Sequence, residues 1–174
     1  MLVEGTSDQV ALETLAARRG RDLAAEGITV VAMGGAGNLR RFLERYGPDG
    51  LAGLCDAGEE GAFRRGLEAA GLGTDLDRAG MEALGFYVCE DDLEDELIRR
   101  LGVAAVERVI EAEGELGSFR TMQGQPAWRG RDPRRQLRRF IASHSGRKAR
   151  YARLLVEALD LASVPRPLEK VLDR

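Results

Sequence analysis

Aromatic residues, cysteine and histidine are scarce in this sequence of 174 residues, and it contains no long hydrophobic run. Two cysteines, Cys55 and Cys89, are too few for a disulfide scaffold, so we expect buried free thiols in a reducing compartment. No apolar segment approaches the roughly 20 residues that span a bilayer, and no signal peptide is visible. We therefore expect a soluble, cytoplasmic protein with no membrane partner.

Acidic and basic side chains are unevenly distributed along the chain. Residues 1–100 carry 11 basic and 20 acidic side chains, whereas residues 101–174 carry 15 basic and 9 acidic ones. Within 118–153, 11 Arg or Lys residues accompany a single acid, Asp132. This pattern has two interpretations. The acidic part could hold cations next to a basic part that holds a polyanion, or both parts could be solvated charged surface.

The first 90 residues alternate between short apolar runs and amphipathic stretches. The apolar runs are Met1–Glu4, Ile28–Met33, Leu51–Cys55 and Leu84–Cys89. Helices are predicted after a cap at Thr6 or Ser7, near 38–46 and over 59–70. Such alternation predicts the α/β fold class, with a parallel sheet covered by helices on both faces.

After residue 93 the pattern becomes helical. It predicts two helices that are broken at Gly102, a short helix over 116–125, and two basic helices over 136–143 and 146–159. Pro165 and Pro167 predict an extended tail. We therefore expect an α/β core over 1–100 and a helical, Arg-rich extension over 101–174 that packs on or beside this core.

Three of the four predicted strands end at carboxylates. Glu4 ends the first, Asp56 ends the third, and an acidic segment over 90–96 follows the fourth. Because the carboxyl ends of parallel strands meet at one edge, these acids must hold cations there or repel each other. The turn at Gly5 can aim Glu4 and Asp8 at one point, although Asp8 alone could simply complement the helix dipole.

The order of these motifs resembles a TOPRIM domain. Glu-Gly-x-x-Asp at 4–8 is followed by Gly-Gly-x-Gly-Asn at 34–38 and by a strand that ends in Asp56. Among TOPRIM proteins, the chain is most similar to the nuclease half of the OLD (overcoming lysogenisation defect) family. The acidic segment at 92–95 and a late basic helix match that family's order, so the resemblance covers essentially the whole chain.

The resemblance implies a metal-dependent endonuclease or nickase that acts on DNA, with RNA as a second candidate. The site would hold two Mg²⁺ or Mn²⁺ ions, roughly 3.5–4 Å apart. The implied metal ligands are Glu4, Asp8, Asp56 and one of Asp92, Glu94 or Asp95. Lys148 matches the family's late lysine, which stabilises the charge of the phosphate, and Glu4, Asp56 and Lys148 are the predicted catalytic residues.

The predicted nucleic-acid contacts are basic residues late in the chain. They are Arg134, Arg135, Arg138, Arg139, Arg147 and Lys148, which would hold the phosphate backbone. Trp128 lies between Arg129 and Arg131 and can either stack on a base or anchor a packed loop. The only histidine, His144, lies between Ser143 and Ser145, but spacing alone gives no catalytic triad.

Two departures from the family pattern leave alternatives open. Gly58 stands where TOPRIM domains usually carry the second acid of Asp-x-Asp, so the second ion depends on a substitute such as Glu59 or Glu60. No Gly-x-x-x-x-Gly-Lys-Ser/Thr loop is present, so we expect a stand-alone form with no ATP site.

The first alternative is a non-catalytic TOPRIM module that binds nucleic acid or a partner ATPase. The second is a Mg²⁺-dependent small-molecule phosphotransferase or phosphatase, in which the glycine loop at 34–37 would cradle a phosphate. The sequence leaves the oligomeric state open, a homodimer included.

Overall fold

The centre of the computed structural model, which describes residues 1–47, 49–144 and 146–174, is a parallel sheet. In these ranges its four strands are β1 (Leu2–Val3), β2 (Val31–Ala32), β3 (Gly53–Cys55) and β4 (Phe86–Val88). They are ordered β2-β1-β3-β4, and every adjacent pair is parallel. The predicted α/β fold with a parallel sheet is confirmed, and each strand lies inside a predicted apolar run.

Helices connect and cover these strands. Those in the described ranges are α1 (Thr6–Arg18), α2 (Leu39–Tyr46), α3 (Glu60–Ala69), α4 (Arg78–Ala83), α5 (Leu93–Leu101), α6 (Val103–Ala112), α7 (Leu116–Gly124), α8 (Pro133–Ile141), α9 (Arg147–Ala158) and α10 (Arg166–Leu172). The predicted break at Gly102 separates α5 from α6, where this glycine has a φ of 79°. Among the described helices, none has the length and apolar character needed to cross a bilayer.

The sheet has a hydrophobic cluster on each face because successive strand residues point to opposite sides. Leu2 and Phe86 pack with α2 and α3 on one face, whereas Val3 and Leu54 pack with α1 and the later helices on the other. Gly53 pairs with both Leu2 and Phe86. A Cβ at Gly53 would lie 2.6 Å from Cδ1 of Phe86, so only glycine lets this ring lie over β3.

The helices after residue 100 share a hydrophobic cluster with the sheet. Tyr151 and Leu155 of α9 are buried in the same cluster as Leu12 and Leu15 of α1. The guanidinium of Arg18 donates from Nη1 to the carbonyl oxygens of residues 156 and 159, at 2.7 Å each, which satisfies the C-terminal end of α9. These contacts bring α9 beside the start of the chain, and the division at residue 100 remains a prediction.

Some local predictions were wrong. The tail is not extended, because α10 includes Pro167 in its first turn, where a proline removes no intrahelical hydrogen bond. The residue that caps α1 is Gly5, and neither Thr6 nor Ser7 fills that position. The sequence patterns also missed α4, and α8 begins three residues before the predicted start because Asp132 caps it.

The two cysteines are free and buried, as predicted. The backbone N–H of Cys89 donates to the carbonyl of Cys55 at 2.9 Å, so the residues lie at adjacent strand ends. Their side chains nevertheless belong to different hydrophobic clusters, one on each face of the sheet. Burial raises the pKa of both thiols, which is typical of inert structural cysteines.

Candidate metal centre and adjoining basic groove

The predicted acids meet at the carboxyl edge of the sheet. Glu4 directly follows β1, and its Oε1 accepts a hydrogen bond of 2.7 Å from the backbone N–H of Asp56, which directly follows β3. Asp56 in turn accepts from the backbone N–H of Leu93 at the start of α5, at 3.3 Å. Carboxylates therefore tie the ends of β1 and β3 to each other and to the start of α5, at the edge where the parallel topology predicts them.

The turn between β1 and α1 brings Asp8 to the same edge. The carboxylate of Asp8 accepts from the backbone N–H of Gly5 at 2.9 Å, and the side chain is buried, with only 7% of the residue exposed. The backbone carbonyl of Glu4 accepts from the N–H groups of Gly34 and Gly35, at 3.0 Å each. These glycines therefore hold Glu4, and the same N–H groups are not directed at a phosphate.

Burial perturbs the acids of this edge. It raises the pKa of Glu4 and of Asp8 to about 7, and the negative charge of Asp56 adds to both shifts. The pKa of Asp56 is also raised, first by burial and then by the charge of Asp92. Few positive charges offset the negative charges of these buried carboxyl groups. A bound cation would therefore be favourable, because it would stabilise their charged forms.

Lys148 reaches the acidic edge from α9. Its Nζ lies 3.0 Å from Oε2 of Glu94, a residue of α5 that is only 2% exposed. Within the described part of the chain, Oε1 of Glu94 is buried without a hydrogen-bond partner. Burial raises the pKa of Glu94 to about 7 despite the lysine, whose own pKa is raised by Glu94 although burial alone would lower it.

The residues fit a hard divalent cation in their chemistry. Glu4, Asp8 and Asp56 each commit a carboxylate oxygen to a backbone N–H, and Glu94 contributes the buried oxygen that lacks a partner. Carboxylate oxygens are the ligands that Mg²⁺ and Mn²⁺ prefer. Across residues 1–47, 49–144 and 146–174, however, no three His, Cys, Asp or Glu side chains have the mutual spacing of a metal site.

Two further predicted ligands have other partners. Asp92 caps α5 by accepting from the N–H of Asp95 at 2.8 Å, and its other oxygen accepts from Nε of Arg138 at 2.6 Å. Glu60 pairs with Arg78 at 2.9 Å. The charge of Glu59 contributes to the raised pKa of Glu4, after burial and the charge of Asp56.

A groove of about 1060 Å³ adjoins the acidic edge. Asp91, Asp92, Glu94 and Asp95 line one side, and the basic lining residues are Arg131, Arg134, Arg135, Arg138, Arg139 and Lys148. Five of the six predicted nucleic-acid contacts therefore meet in one place. Arg131 was not among the predicted contacts, and it reaches the groove from the loop before α8.

Arg147 does not line this groove. Its guanidinium donates to Glu115 at 3.1 Å, to the carbonyl of Phe140 and to Oγ of Ser143, and it lies over the Phe140 ring. The side chain is only 12% exposed. Arg147 therefore joins α9 to the end of α8, whereas the next residue along the chain faces the acids.

His144 forms no triad in the described structure. Its Nδ1 lies 2.9 Å from Oγ of Ser143, and that hydroxyl donates to the carbonyl of Phe140. Among the described residues, no carboxylate is paired with the exposed imidazole. Ser145 lies outside the described residues.

Comparisons with known proteins agree with this arrangement. Residues 1–47 match the family model described as "Overcoming lysogenization defect protein-like, TOPRIM domain". The C-terminal region of the Burkholderia pseudomallei OLD protein is 22% identical, with a TM-score of 0.70 over 99% of this chain and 93% of that chain. The C-terminal region of the Xanthomonas campestris pv. campestris OLD protein is 25% identical, with a TM-score of 0.69 over 99% of this chain and 90% of that one. No match was found among curated protein sequences.

Proposed function

We propose that this chain, which carries an OLD-like TOPRIM domain, is a divalent-metal-dependent nuclease that hydrolyses nucleic-acid phosphodiesters. One observation carries the proposal: acidic residues of the segment that opens α5, Glu94 among them, line the same groove as the arginines. Arg138 bonds to Asp92, and Lys148 bonds to Glu94, so the two sides meet directly. A phosphate bound by the basic side would therefore lie against Asp92 and Glu94, next to the acidic edge.

In this proposal, Glu4, Asp8, Asp56 and Glu94 would hold Mg²⁺ or Mn²⁺. Bound divalent ions supply a water of lowered pKa and neutralise negative charge at the phosphate. Hydrolysis adds water across a P–O ester bond, so that the water oxygen joins phosphorus and the leaving oxygen takes a proton. Lys148 would donate to a non-bridging phosphate oxygen, because its Nζ lies at the junction of the acids and the groove.

The remaining arginines would hold the phosphate backbone on either side of the scissile bond. Arg134, Arg135 and Arg139 are exposed, and none of them forms an ion pair within the described residues. Their charge is therefore available to phosphates without the loss of an existing pair. Such contacts provide affinity and register rather than sequence specificity.

The test is the nicking of supercoiled plasmid with Mg²⁺, with Mn²⁺ or with EDTA. We expect metal-dependent nicking that Asp56→Asn abolishes, because the amide removes a negative charge without changing the size of the side chain. Glu111→Gln, on the exposed side of α6, is the matched control and should nick at the wild-type rate. Cleavage that persists in EDTA, or an Asp56→Asn rate equal to that of the wild type, would contradict the proposal.

A second candidate function is a non-catalytic TOPRIM module that binds nucleic acid or a partner ATPase. Gly58 favours it, because this glycine replaces the second acid that the family resemblance predicts. Metal binding by titration calorimetry, combined with no cleavage of plasmid or of single strands, would support this module over the nuclease. A panel of phosphomonoesters in the same assay tests the phosphatase alternative.

A further inference from the structure

Trp128 is the only tryptophan, and its position is not that of a core residue. The ring lines the basic groove and is partly exposed. In the described residues, neither hydrophobic cluster includes Trp128, either as a buried member or as a partly buried neighbour. Because a large aromatic side chain usually stabilises a fold by burial, this position needs another explanation.

The backbone of Trp128 is fixed by specific hydrogen bonds. Its carbonyl accepts from Nε2 of Gln136 at 2.7 Å, and Oε1 of that buried glutamine accepts from Nε2 of Gln123, also at 2.7 Å. The N–H of Trp128 donates to the carbonyl of Gln125 at 2.9 Å. The loop thus holds the ring at the groove without using it in the core.

Arg139 lies over the partly exposed ring of Trp128. Its guanidinium carbon is 6.0 Å from the centroid of the Trp128 ring, which is the distance of a weak cation–π contact. The preceding residue, Arg138, bonds instead to Asp92 at the acidic edge. Two consecutive residues of α8 therefore contact different parts of one groove. Arg138 contacts the acidic residues, and Arg139 contacts the aromatic ring of Trp128.

We infer that Trp128 and Arg139 form a base-stacking site, so that the groove takes single-stranded rather than duplex nucleic acid. In a duplex the base faces are covered by neighbouring pairs, and a ring on a groove wall reaches only an unpaired or extruded base. The exposed arginines bind phosphates in either form and do not discriminate between them. This inference deepens the proposed function, and it rests on the assignment of the groove to nucleic acid.

Intrinsic fluorescence tests the inference in the full chain, since Trp128 is the only tryptophan. In EDTA, oligothymidylate and oligouridylate should quench this fluorescence strongly, whereas a blunt duplex of equal length should quench it little. The two single strands distinguish DNA from RNA, and quenching by either one supports the inference. Equal quenching by the duplex overturns it.

Affinities of labelled oligonucleotides, measured by anisotropy, extend the test to variants. Trp128→Ala should weaken binding of the single strand about five- to a hundredfold, because stacking on one base contributes that much. Binding of the duplex should not change, and Trp128→Phe should restore most of the loss. Tyr46→Ala removes an aromatic residue that is 51% exposed and lies outside the groove, so it is the matched control.

An unchanged single-strand affinity in Trp128→Ala would overturn the inference, and so would an equal loss for both substrates or a failure of phenylalanine to rescue. Circular dichroism checks the fold of each variant, and the bond from Gln136 is made to the backbone and survives the substitution. Binding of single strands through Trp128 without their metal-dependent cleavage would contradict hydrolysis alone. Cleavage of single strands with unchanged binding in Trp128→Ala would contradict the stacking site alone.

Discussion

The two sides of the groove are built in different ways. Glu94 on the acidic side and the acids of the adjoining edge are partly or fully buried carboxylates that separate strands and helices bring together. Each of them is tied to a backbone N–H or to a basic side chain. The basic side is one face of α8 and the loop before it, where exposed arginines follow a helical spacing. The carboxylates come together only when the whole domain is folded, whereas the arginines are close together in the sequence and lie on one helix and its preceding loop. Changes on the acidic side should therefore affect chemistry and stability, and changes on the basic side should affect mainly affinity.

Replacing Lys148 removes one of the ion pairs between the two sides and should have the largest effect among the basic residues. Lys148→Met keeps the length of the side chain and loses its charge. We expect cleavage to fall by roughly 10²–10³, the usual loss when one donor to a developing negative charge is removed. The measurement is the single-turnover cleavage rate at saturating enzyme, which separates the chemical step from binding.

Lys170 offers a matched control, because it is the only other lysine of the chain and is exposed. Lys170→Met should cleave at the wild-type rate. A Lys148→Met variant whose rate also stays at the wild-type level would show that Lys148 only neutralises Glu94. In that case its effect would appear in thermal unfolding and not in catalysis.

Neutralising the basic side should weaken binding in a salt-dependent way. The combined change Arg134→Gln, Arg135→Gln and Arg139→Gln removes three exposed charges from the groove. Each phosphate contact that is lost should lower the slope of log K against log salt by about 0.7–0.9. Anisotropy titrations of a labelled single strand over a series of salt concentrations measure this slope.

The control for the arginines is a triple change of equal charge elsewhere. Arg64→Gln, Arg65→Gln and Arg108→Gln alter exposed residues that do not line the groove. If this control lowers the salt slope as much as the groove variant does, the binding is non-specific attraction to the net charge. The arginines of the groove would then have no specific role in binding nucleic acid.

Sequence patterns predicted which acids come together better than they predicted which way individual basic side chains point. Glu4 and Asp56 could be predicted to meet because apolar runs mark the strands, and parallel strands bring their carboxyl ends to one edge. Arg147 and Lys148 are adjacent and both positively charged, yet only Lys148 reaches the acidic edge, whereas Arg147 pairs with Glu115. Neighbouring residues on a helix point about 100° apart, and which of them faces inward depends on packing against α8.

The partners of the remaining acids also depended on unpredicted structure. Glu60 bonds to Arg78, a residue of α4 that the sequence patterns did not predict as a helix. The extended tail was predicted from prolines that instead begin a helix. Proline fits an extended segment and the first turn of a helix equally well, so only the tertiary packing of α10 distinguishes the two.

The acidic side should also make the metal-free protein sensitive to pH. Burial raises the pKa of Glu4, Asp8 and Glu94 to about 7, so the native state keeps protons that the unfolded chain has already released. Between the unfolded and folded pKa values, the stability of the native state therefore falls as the pH rises. In EDTA, we expect a midpoint of thermal unfolding that is higher near about pH 6 than near about pH 8, by on the order of a few degrees.

Asp8→Asn isolates this effect, because the amide stays neutral and still accepts from the N–H of Gly5. In the variant, the midpoints of thermal unfolding at the two pH values should differ less than in the wild type. Mg²⁺ or Mn²⁺ should raise the midpoint of the wild type more at the higher pH. The control Glu157→Gln changes an exposed acid of α9 and should leave the difference unchanged. If the midpoint of the wild type in EDTA instead rises with pH, the raised pKa values of the buried carboxyl groups are contradicted.

The smallest expected effect is a gain of metal affinity at Gly58. A Cβ at this position would meet nothing within 4 Å, and Gly58 is not among the residues with positive φ, so Gly58→Asp should fold with a stability change of about 0.5 kcal/mol or less. The new carboxylate would restore the Asp-x-Asp pattern beside Asp56. Because each added oxygen ligand favours a hard cation, calorimetry should detect tighter Mn²⁺ binding, and Gly58→Asn should not reproduce it. Affinity and cleavage that remain unchanged in Gly58→Asp would show that the acids around Glu4 already provide all the ligands that the groove uses.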